Sequence, residues 1–257
     1  MPLIDSHCHI DAPGFDPDRD AVLARAAAAG IGRIVAPAVA AAGWPKLRAL
    51  ARAHPQIAPA YGLHPMYLAE HRDEHLALLR EWLETERPCA IGECGLDHYV
   101  PGLDPARQRE ILVGQLKLAR DFDLPLILHA RKSLDEVIGL LRRFPGLRGV
   151  VHSFSGSRQQ AEILCDLGFL LGIGGPVTHA RARRLRGIVA TLPIDHLLLE
   201  TDAPDQPDAG IRGQRNEPAR LTEVLRVVAQ VRDEDQDHVA RHTTANAAHL
   251  FGLDAIG

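Results

Sequence analysis

Short apolar segments alternate with longer amphipathic segments along most of the chain. The apolar segments are continuously hydrophobic, which is typical of strands in a parallel sheet that is covered on both faces. The sequence predicts strands at PLID, RIVAPAV, IAPAYGL, CAIGE, LPLILHA, GVVHSF, FLLGIGG and HLLLETD. It predicts helices at residues 17–29, 44–54, 70–86, 105–121, 132–144, 157–167, 181–190 and 217–231. Eight strand-helix units favour a closed (β/α)8 TIM barrel over an open, doubly wound sheet.

The last part of the chain adds one helix to these eight units. Residues 234–250 predict a helix that packs on the outside of the barrel. Before it, residues 203–217 are rich in Asp, Gly, Arg and Asn and predict one long loop. No linker or repeat divides the chain, so residues 1–257 are predicted to form a single domain.

The composition indicates a globular protein, because 46% of the residues are hydrophobic. The longest apolar stretches, residues 163–173 and 186–199, are interrupted well before the roughly 20 residues that a membrane span needs. The N-terminal sequence MPLIDSHCHID has no basic segment followed by an apolar one, so it does not resemble a secretory signal. The four cysteines form no CxxC pair and are predicted to be reduced thiols. We expect a cytoplasmic monomer without membrane contact.

The charge balance restricts the ways in which the protein could bind nucleic acid. A formal net charge of −4 argues against a protein that coats long nucleic acid, because that mode of binding needs a basic face. Any phosphate that the protein binds must therefore be held by a local group of residues.

Polar residues that can bind a metal follow most of the predicted strands. In a barrel of this kind the active site lies at the carboxyl ends of the strands, so these residues are expected to converge. They are His7, His9, His64, Glu93, His129, His152 and Asp202. A single histidine at such a position is more often structural than a ligand, but burying seven such groups together without an ion would be costly. The set predicts a site for one or two divalent metal ions.

The alternation of side chains along a strand assigns faces to the neighbours of these residues. His7 and His9 share a face, whereas Cys8 points the other way and is predicted to be a small buried residue between strand and helix. Glu200 shares a face with Asp202 but lies deeper in the barrel, where it would orient a ligand without binding the metal itself.

The remaining histidines are predicted to have other roles. His98 lies in the loop after the fourth strand, and its spacing does not assign it to the site. The others lie on predicted helices or at their ends, where solvated or packing roles are the simpler interpretation. They are His54, His71, His75, His179, His238, His242 and His249. Histidine with carboxylate suits Zn or Mn, and Mg less well because Mg prefers oxygen ligands.

Seven motifs from residue 3 to about residue 251 carry a family resemblance. They are IDSHCHID, YGLHP, AIGECGLDHY, LPLILHAR, GVVHSFSG, LLLETDAP and GQRNEP. With these motifs in this order, the chain resembles the TatD family of metal-dependent hydrolases, often described as deoxyribonucleases. The resemblance implies that one metal is held by His7, His9, Glu93 and Asp202. It implies that a second is held by Glu93, His129 and His152, with Glu93 bridging the two.

The resemblance also implies contacts with a substrate. His64 in GLHP is implied to be a substrate contact, and Arg131 and the segment 153–156 lie on loops where a guanidinium and backbone N–H groups could meet phosphate oxygens. Within that segment, Ser153 is the residue predicted to bind substrate. Arg215 and Asn216 match the RNEP motif, for which a role in ordering the loop and a role in binding substrate are equally open.

One departure from the family pattern follows the TDAP motif. Asp205 and Gln206 stand where better-known nucleases of the family usually carry Tyr-Leu. The change removes an aromatic residue and adds a negative charge, which weakens the case for nucleic acid because proteins that bind single strands rely on stacking and positive grooves. Three aromatic residues remain as candidate platforms at the rim, unless they pack their own loops. They are Tyr67, Tyr99 and Phe154.

Three functions are compatible with these residues. The favoured hypothesis is metal-assisted hydrolysis at the end of a DNA or RNA strand or of a small phosphodiester, with Glu93 on the metals and Asp202 accepting a proton from water. The second is an amidase, esterase or deacylase that acts on a small molecule or an aminoacyl-tRNA. The third is a barrel that binds metal without turnover, which the presence of Asp202 with the complete ligand set disfavours.

Overall fold

Eight parallel strands form one sheet in the order in which they occur along the chain. The computed structural model describes residues 2–253; residue 1 and residues 254–257, which the predicted single domain also includes, lie outside the described residues. The strands are β1 (Leu3–Asp5), β2 (Ile31–Pro37), β3 (Ile57–Tyr61), β4 (Ala90–Asp97), β5 (Leu126–Arg131), β6 (Gly149–Val151), β7 (Phe169–Ile173) and β8 (Leu197–Leu199). The amide of Ser6 donates to the carbonyl oxygen of Leu199 at 3.0 Å, which joins the first strand to the last. The predicted TIM barrel is confirmed.

Helices follow the strands and form the outer layer. They are α1 (Arg19–Ala28), α2 (Trp44–Ala53), α3 (Glu74–Glu86), α4 (Pro105–Phe122), α5 (Leu134–Leu141), α6 (Arg158–Asp166), α7 (Arg183–Thr191), α8 (Leu221–Arg232) and α9 (Gln236–Phe251). Local sequence fixes where several begin. Ser157 and Gln160 form a capping box at α6, and the Asp104 and Asp235 side chains cap α4 and α9. Among the described residues, no helix is long and apolar enough to cross a membrane.

The helix predicted to begin at residue 70 begins later, because residues before it form a different structure. Pro65–Glu70 form a 3-10 helix that directly follows His64, and α3 begins at Glu74. Two strands also extend further than predicted. β4 continues four residues beyond Glu93, and β5 continues two beyond His129, so these side chains lie within strands and not at their ends.

Alternate residues of the strands point into the barrel and form an apolar cluster near their amino ends. The strands supply Ile4, Val35, Ala58, Ala60, Ala90, Ile127, Val150 and Leu198. The second half of α9 packs on this cluster through Ala247, Leu250 and Phe251. The prediction that α9 lies on the outside of the barrel is therefore wrong for this half, which closes the barrel at the amino ends of its strands. The opposite end is the one that carries the polar residues.

Candidate metal centre

The Glu93 carboxylate lies at the centre of the polar cluster, with histidines on both sides. Its Oε2 atom lies 3.2 Å from the Nε2 atoms of both His7 and His9. Its Oε1 atom lies 2.7 Å from His152 Nε2, 3.0 Å from His64 Nε2 and 3.2 Å from His129 Nδ1. The Asp202 Oδ1 atom lies 3.5 Å from His7 Nε2 and 3.6 Å from His9 Nε2. The structure thus brings together all seven groups that the sequence predicts to converge.

Close contact between β4 and β5 explains how Glu93 reaches His129. Gly95 and His129 are paired across the two strands. A side chain at position 95 would overlap the carbonyl oxygen of His129, and Gly95 also has a φ of +145°, which glycine adopts readily. Glycine at this position therefore lets β4 approach β5.

Hydrogen bonds outside the centre fix which nitrogen of two histidines faces Glu93. His129 Nε2 donates to Asp97 Oδ2 at 2.9 Å, and His9 Nδ1 donates to the carbonyl oxygen of Pro37 at 3.2 Å. In a neutral imidazole the other nitrogen then carries a lone pair. These two lone pairs point at the oxygens of Glu93, an arrangement that a cation between them would stabilise.

His64 has the opposite arrangement. Its Nδ1 atom accepts a hydrogen bond from the amide of Met66 at 3.1 Å, so its Nε2 atom carries the proton that points to Glu93. The ring is near enough to Glu93 and His129 to belong to a metal-binding group by distance alone. A protonated nitrogen cannot bind a metal, so His64 supplies a hydrogen-bond donor instead.

The remaining polar atoms fit a divalent cation. Glu93 Oε2 is buried and has no hydrogen-bond partner among the described residues, although two histidine nitrogens lie nearby. An unpaired carboxylate oxygen in a buried site is costly unless a cation or donor satisfies it. Imidazole and carboxylate together are the ligand set of Zn and Mn sites in hydrolases. The cluster therefore fits the predicted metal centre.

Burial and mutual interaction shift the pKa values in the cluster. Burial raises the pKa of Glu93, but the charges of His152, His64 and His7 outweigh it and hold the pKa well below its usual range. Burial lowers the pKa of His152, but the charge of Glu93 outweighs it and raises the pKa to about 10. Protons and a metal ion compete for such nitrogens, so metal binding must release protons.

Asp202 is held by a residue that the sequence analysis did not assign to the site. The side-chain amide of Gln206 donates to Asp202 Oδ2, and the amide oxygen of Gln206 accepts a hydrogen bond of 2.8 Å from the Ser153 hydroxyl. Asp202 Oδ1 is therefore the oxygen that faces the histidines. Burial raises the pKa of Asp202.

Glu200 is fully buried, which fits the prediction that it lies deeper in the barrel than Asp202. Gly172 on β7 makes the room for it, because a side chain at position 172 would overlap the Glu200 carboxylate. Burial raises the pKa of Glu200 to about 8. Its Oε1 atom accepts the backbone N–H of Ser153 at 2.5 Å and lies 3.8 Å from His152 Nδ1. Glu200 thus positions the segment that carries His152.

The bonds of Ser153 correct one prediction. Its N–H and its hydroxyl are both used within the protein, and the N–H of Phe154 donates to the Gly172 carbonyl at 3.0 Å. The predicted phosphate contact of Ser153 is therefore not supported, since neither of its donors is free.

Two further buried carboxylates were not assigned a role from the sequence. Asp97 accepts the N–H groups of Tyr99 at 2.8 Å and Val100 at 3.0 Å besides holding His129. Burial raises the pKa of Asp97, but these bonds outweigh it and lower the pKa to about 2. Asp5 accepts the Thr201 hydroxyl at 2.6 Å, which ties β1 to the segment after β8. The sequence signal that could have identified Asp97 was its position, four residues after Glu93 on the same strand.

An exposed arginine and an exposed tyrosine pack together at the rim of the site. The Arg131 guanidinium carbon lies 3.7 Å from the centre of the Tyr99 ring, and Tyr99 is 56% exposed. Tyr67 is also partly exposed, whereas Phe154 is only 2% exposed and packs in the core, so it cannot serve as a platform. His98 Nε2 donates to Glu136 Oε2 at 2.9 Å and stays outside the cluster.

The RNEP motif and the neighbouring Cys8 have structural roles. Arg215 donates to both oxygens of Asp18, at 2.8 and 2.7 Å, and the buried Asn216 side chain donates to the carbonyl oxygens of Thr201 and Asp205. Both residues order the loop after β8, which supports the first of the two alternatives left open by the sequence, and a role in binding substrate stays a prediction. Cys8 is fully buried in the apolar core, as predicted.

Comparisons with known proteins agree with this site. The sequence model of the TatD related DNase family matches residues 4–252. The chain is 44% identical to YjjV of Escherichia coli (strain K12), named an uncharacterized metal-dependent hydrolase, over 257 residues that cover 98% of each chain. It is 34% identical to a protein of Erwinia tasmaniensis named 3′-5′ ssDNA/RNA exonuclease TatD, over 98% of this chain and all of that one.

The fold of the chain also matches the solved structure of a relative. The crystal structure of the Escherichia coli K12 YjjV protein, a TatD homolog, superposes with a TM-score of 0.94 and 42% identity over 98% of each chain. The family match covers nearly the whole barrel, including every residue of the candidate metal centre. The chain therefore belongs to the TatD family of metal-dependent hydrolases.

Proposed function

We propose that the chain is an exonuclease that hydrolyses the phosphodiester bond at the end of a single strand of DNA or RNA. The observation that carries this proposal is the position of Glu93, whose two oxygens face two separate groups of histidines. A carboxylate placed in this way can bridge two cations, and paired cations can stabilise both the attacking and the leaving oxygen of a phosphodiester. The relative from Erwinia tasmaniensis, named as such an exonuclease, supports this substrate class.

The ligands divide between two positions around Glu93. His7, His9, Glu93 and Asp202 would hold one cation, and Glu93, His129 and His152 would hold the other. Zn or Mn suits this set better than Mg, because the set contains four histidines. When bound, the cations would lower the pKa of a water molecule and offset negative charge on the phosphoryl oxygens.

The protein's own groups would handle protons and orientation. Asp202 would accept the proton of the attacking water through Oδ1, because Gln206 occupies Oδ2. His64 would keep an N–H directed into the centre, where it can donate to an oxygen that gains charge during the reaction. Asp97 would keep His129 in the tautomer that leaves Nδ1 free for a metal.

Arg131 and Tyr99 would bind the end of the strand at the rim. The guanidinium can hold phosphate oxygens, and the exposed tyrosine ring offers a face for a base. Holding only terminal groups in this way is compatible with a net charge of −4.

The proposal is tested by stripping the protein of metal and adding back Zn, Mn, Mg or Co singly. End-labelled single-stranded DNA and RNA are followed beside a small phosphodiester and an acyl ester. Stepwise shortening of the strands should need metal and should disappear in Asp202→Asn. Asp195→Asn is the control, because it neutralises an exposed carboxylate that precedes β8 and should keep most of the activity.

The other outcomes identify the other functions. Cleavage of the acyl ester with intact DNA and RNA would reject the nuclease in favour of an amidase, esterase or deacylase, and would direct attention to Asp205 at the rim. Bound metal without hydrolysis of any substrate, and with binding unchanged in Asp202→Asn, would indicate a barrel without turnover. The monomeric state and the cytoplasmic location stay predictions.

A further inference from the structure

A group of exposed arginines beside the rim lacks acidic partners within residues 2–253. Arg181, Arg183 and Arg184 lie between the end of β7 and the first turn of α7, and all three side chains are exposed. No Asp or Glu within residues 2–253 forms an ion pair with any of them, whereas arginines elsewhere, such as Arg107 and Arg226, bind carboxylates. We call these three residues the β7–α7 arginine surface.

The β7–α7 arginine surface adjoins the loops that carry the metal centre. Arg184 donates to the carbonyl oxygen of Ser155 at 2.8 Å, three residues beyond His152. Gly175, which precedes the surface, packs so closely on Gln206 that a side chain at position 175 would overlap the carbonyl oxygen of Gln206. Gln206 in turn holds Asp202. The segment that carries the surface therefore packs against the loops that hold Asp202 and His152.

The positive charge of this surface is not neutralised, in contrast to the rim after β1. There, Asp16 binds Arg19 and Lys46, and Asp18 binds Arg215, so the local cations are paired with carboxylates. In a protein with a net charge of −4, three unpaired arginines create a local region of positive potential beside the site. Exposed guanidinium groups with free donors suit phosphate oxygens in particular.

We propose that the β7–α7 arginine surface binds the phosphate backbone of the single strand beyond the nucleotide that is removed. The proposal rests on the proposed exonuclease function and extends it from the terminal nucleotide to the path of the strand. A strand whose end lies at the metal centre would leave the site over Arg181 and Arg183. The two charges would then contribute to affinity for long strands and not for small phosphodiesters.

The test compares two double variants of equal charge. Arg181→Ala with Arg183→Ala removes two cations from the surface and leaves Arg184, which holds Ser155. Arg142→Ala with Arg143→Ala is the control, because it removes two exposed arginines that follow α5 and form no ion pair among the described residues. Hydrolysis of a dinucleotide, of a strand of about ten nucleotides and of a small phosphodiester is measured for each protein with added metal.

We expect the surface variant to raise KM for the longer strand about 3–10-fold, with kcat and the rates on the two short substrates unchanged. The slope of log affinity against log salt should fall in magnitude by about 1.4, since single-strand contacts contribute about 0.7 each. The control variant should match the unchanged protein. Equal KM values and equal salt slopes in all three proteins would overturn the proposal.

A binding measurement separates this inference from the proposed function. Fluorescence anisotropy of labelled single-stranded DNA and RNA is recorded in chelator, where metal-dependent hydrolysis stops. One outcome is that the protein cleaves neither strand with added metal but binds both in chelator, and that only the surface variant loses this binding. The exonuclease proposal then fails, whereas the proposed binding role of the arginine surface is supported. If the strands are hydrolysed with added metal and both variants bind them like the unchanged protein, the binding role of the arginine surface is rejected and the exonuclease proposal is supported.

Discussion

The two ends of the barrel interior use the same strands for opposite purposes. Toward the amino ends, Ile127 and Val150 pack in an apolar cluster that Phe251 of α9 helps to close. Two residues further along the chain, His129 within β5 and His152 directly after β6 contact Glu93. A spacing of only two residues therefore separates side chains that stabilise the fold from side chains that line the candidate metal centre.

The difference has an energetic basis. Apolar burial at the amino end stabilises the fold, whereas buried ionisable groups at the carboxyl end cost free energy unless they are paired or bind a cation. Substitutions at the carboxyl end should therefore change metal binding first, and substitutions at the amino end should change stability first.

The largest effect is expected for Glu93→Gln, which removes the charge between the two groups of histidines. Hydrolysis and metal affinity should each fall by more than about 100-fold, beyond the loss caused by groups that only orient a ligand. Added metal should raise the Tm of the unchanged protein, since it binds the folded state, and should not raise that of the variant. Competition with a metal-binding dye measures the affinity. A variant that keeps normal metal affinity would show that Glu93 is not a ligand.

At the amino end, Phe251→Ala should have the opposite profile. Phe251 is 3% exposed, and its truncation should lower the free energy of unfolding by about 3–5 kcal/mol because it leaves a cavity. Urea unfolding measures this loss. The increase in Tm on adding metal should persist, as should metal affinity at a temperature where the variant is folded. Loss of metal affinity under those conditions would mean that the two ends are coupled.

The sequence predicted this division only in part. The two-residue spacing was sufficient to place His7 with His9, and Glu200 with Asp202, although all four residues lie just beyond the ends of β1 and β8. The role of Asp97 depends on the register between β4 and β5, which pairs Gly95 with His129 and is not a local property. The closure by α9 likewise depends on where a distant segment packs.

The loop after β8 shows the same limit. Gln206 has a φ of +49°, and its side chain reaches both Asp202 and Ser153. In the sequence, Gln206 was visible only as a departure from the family pattern. Its contact could not be predicted, because the course of an irregular loop is set by many tertiary contacts and not by a residue repeat.

Asp97→Asn should have a smaller effect than Glu93→Gln, because Asp97 contacts His129 and not the metal position. Metal affinity should fall about 10–100-fold, the usual result of losing the carboxylate behind a histidine ligand. Dye competition again measures the affinity. Asp104→Asn is the matched control, since Asp104 caps α4 and asparagine caps equally well. Equal metal affinity in both variants would show that the hydrogen bond to Asp97 does not help His129 to bind the metal.

The smallest effect is expected from Asp208, which belongs to the carboxyl end but stabilises a loop there. Asp208 is 1% exposed and accepts two hydrogen bonds from Arg220, at 2.6 and 2.9 Å. Burial raises its pKa, but the guanidinium outweighs this and lowers the pKa below the usual 3.8. In metal-free protein at pH 7, Asp208→Asn should therefore lower the free energy of unfolding by about 1–2 kcal/mol.

The pH dependence of this loss has a definite sign. Since the pKa of Asp208 is lower in the folded state, its carboxylate stabilises the fold above the unfolded pKa, and that stabilisation is lost as pH falls through the folded pKa. The difference between the two proteins should thus be constant from pH 7 to about 5 and shrink below about 4. Urea unfolding in chelator measures it at each pH. A difference that stays constant into acid would mean that the charge of Asp208 in its ion pair with Arg220 does not account for the loss.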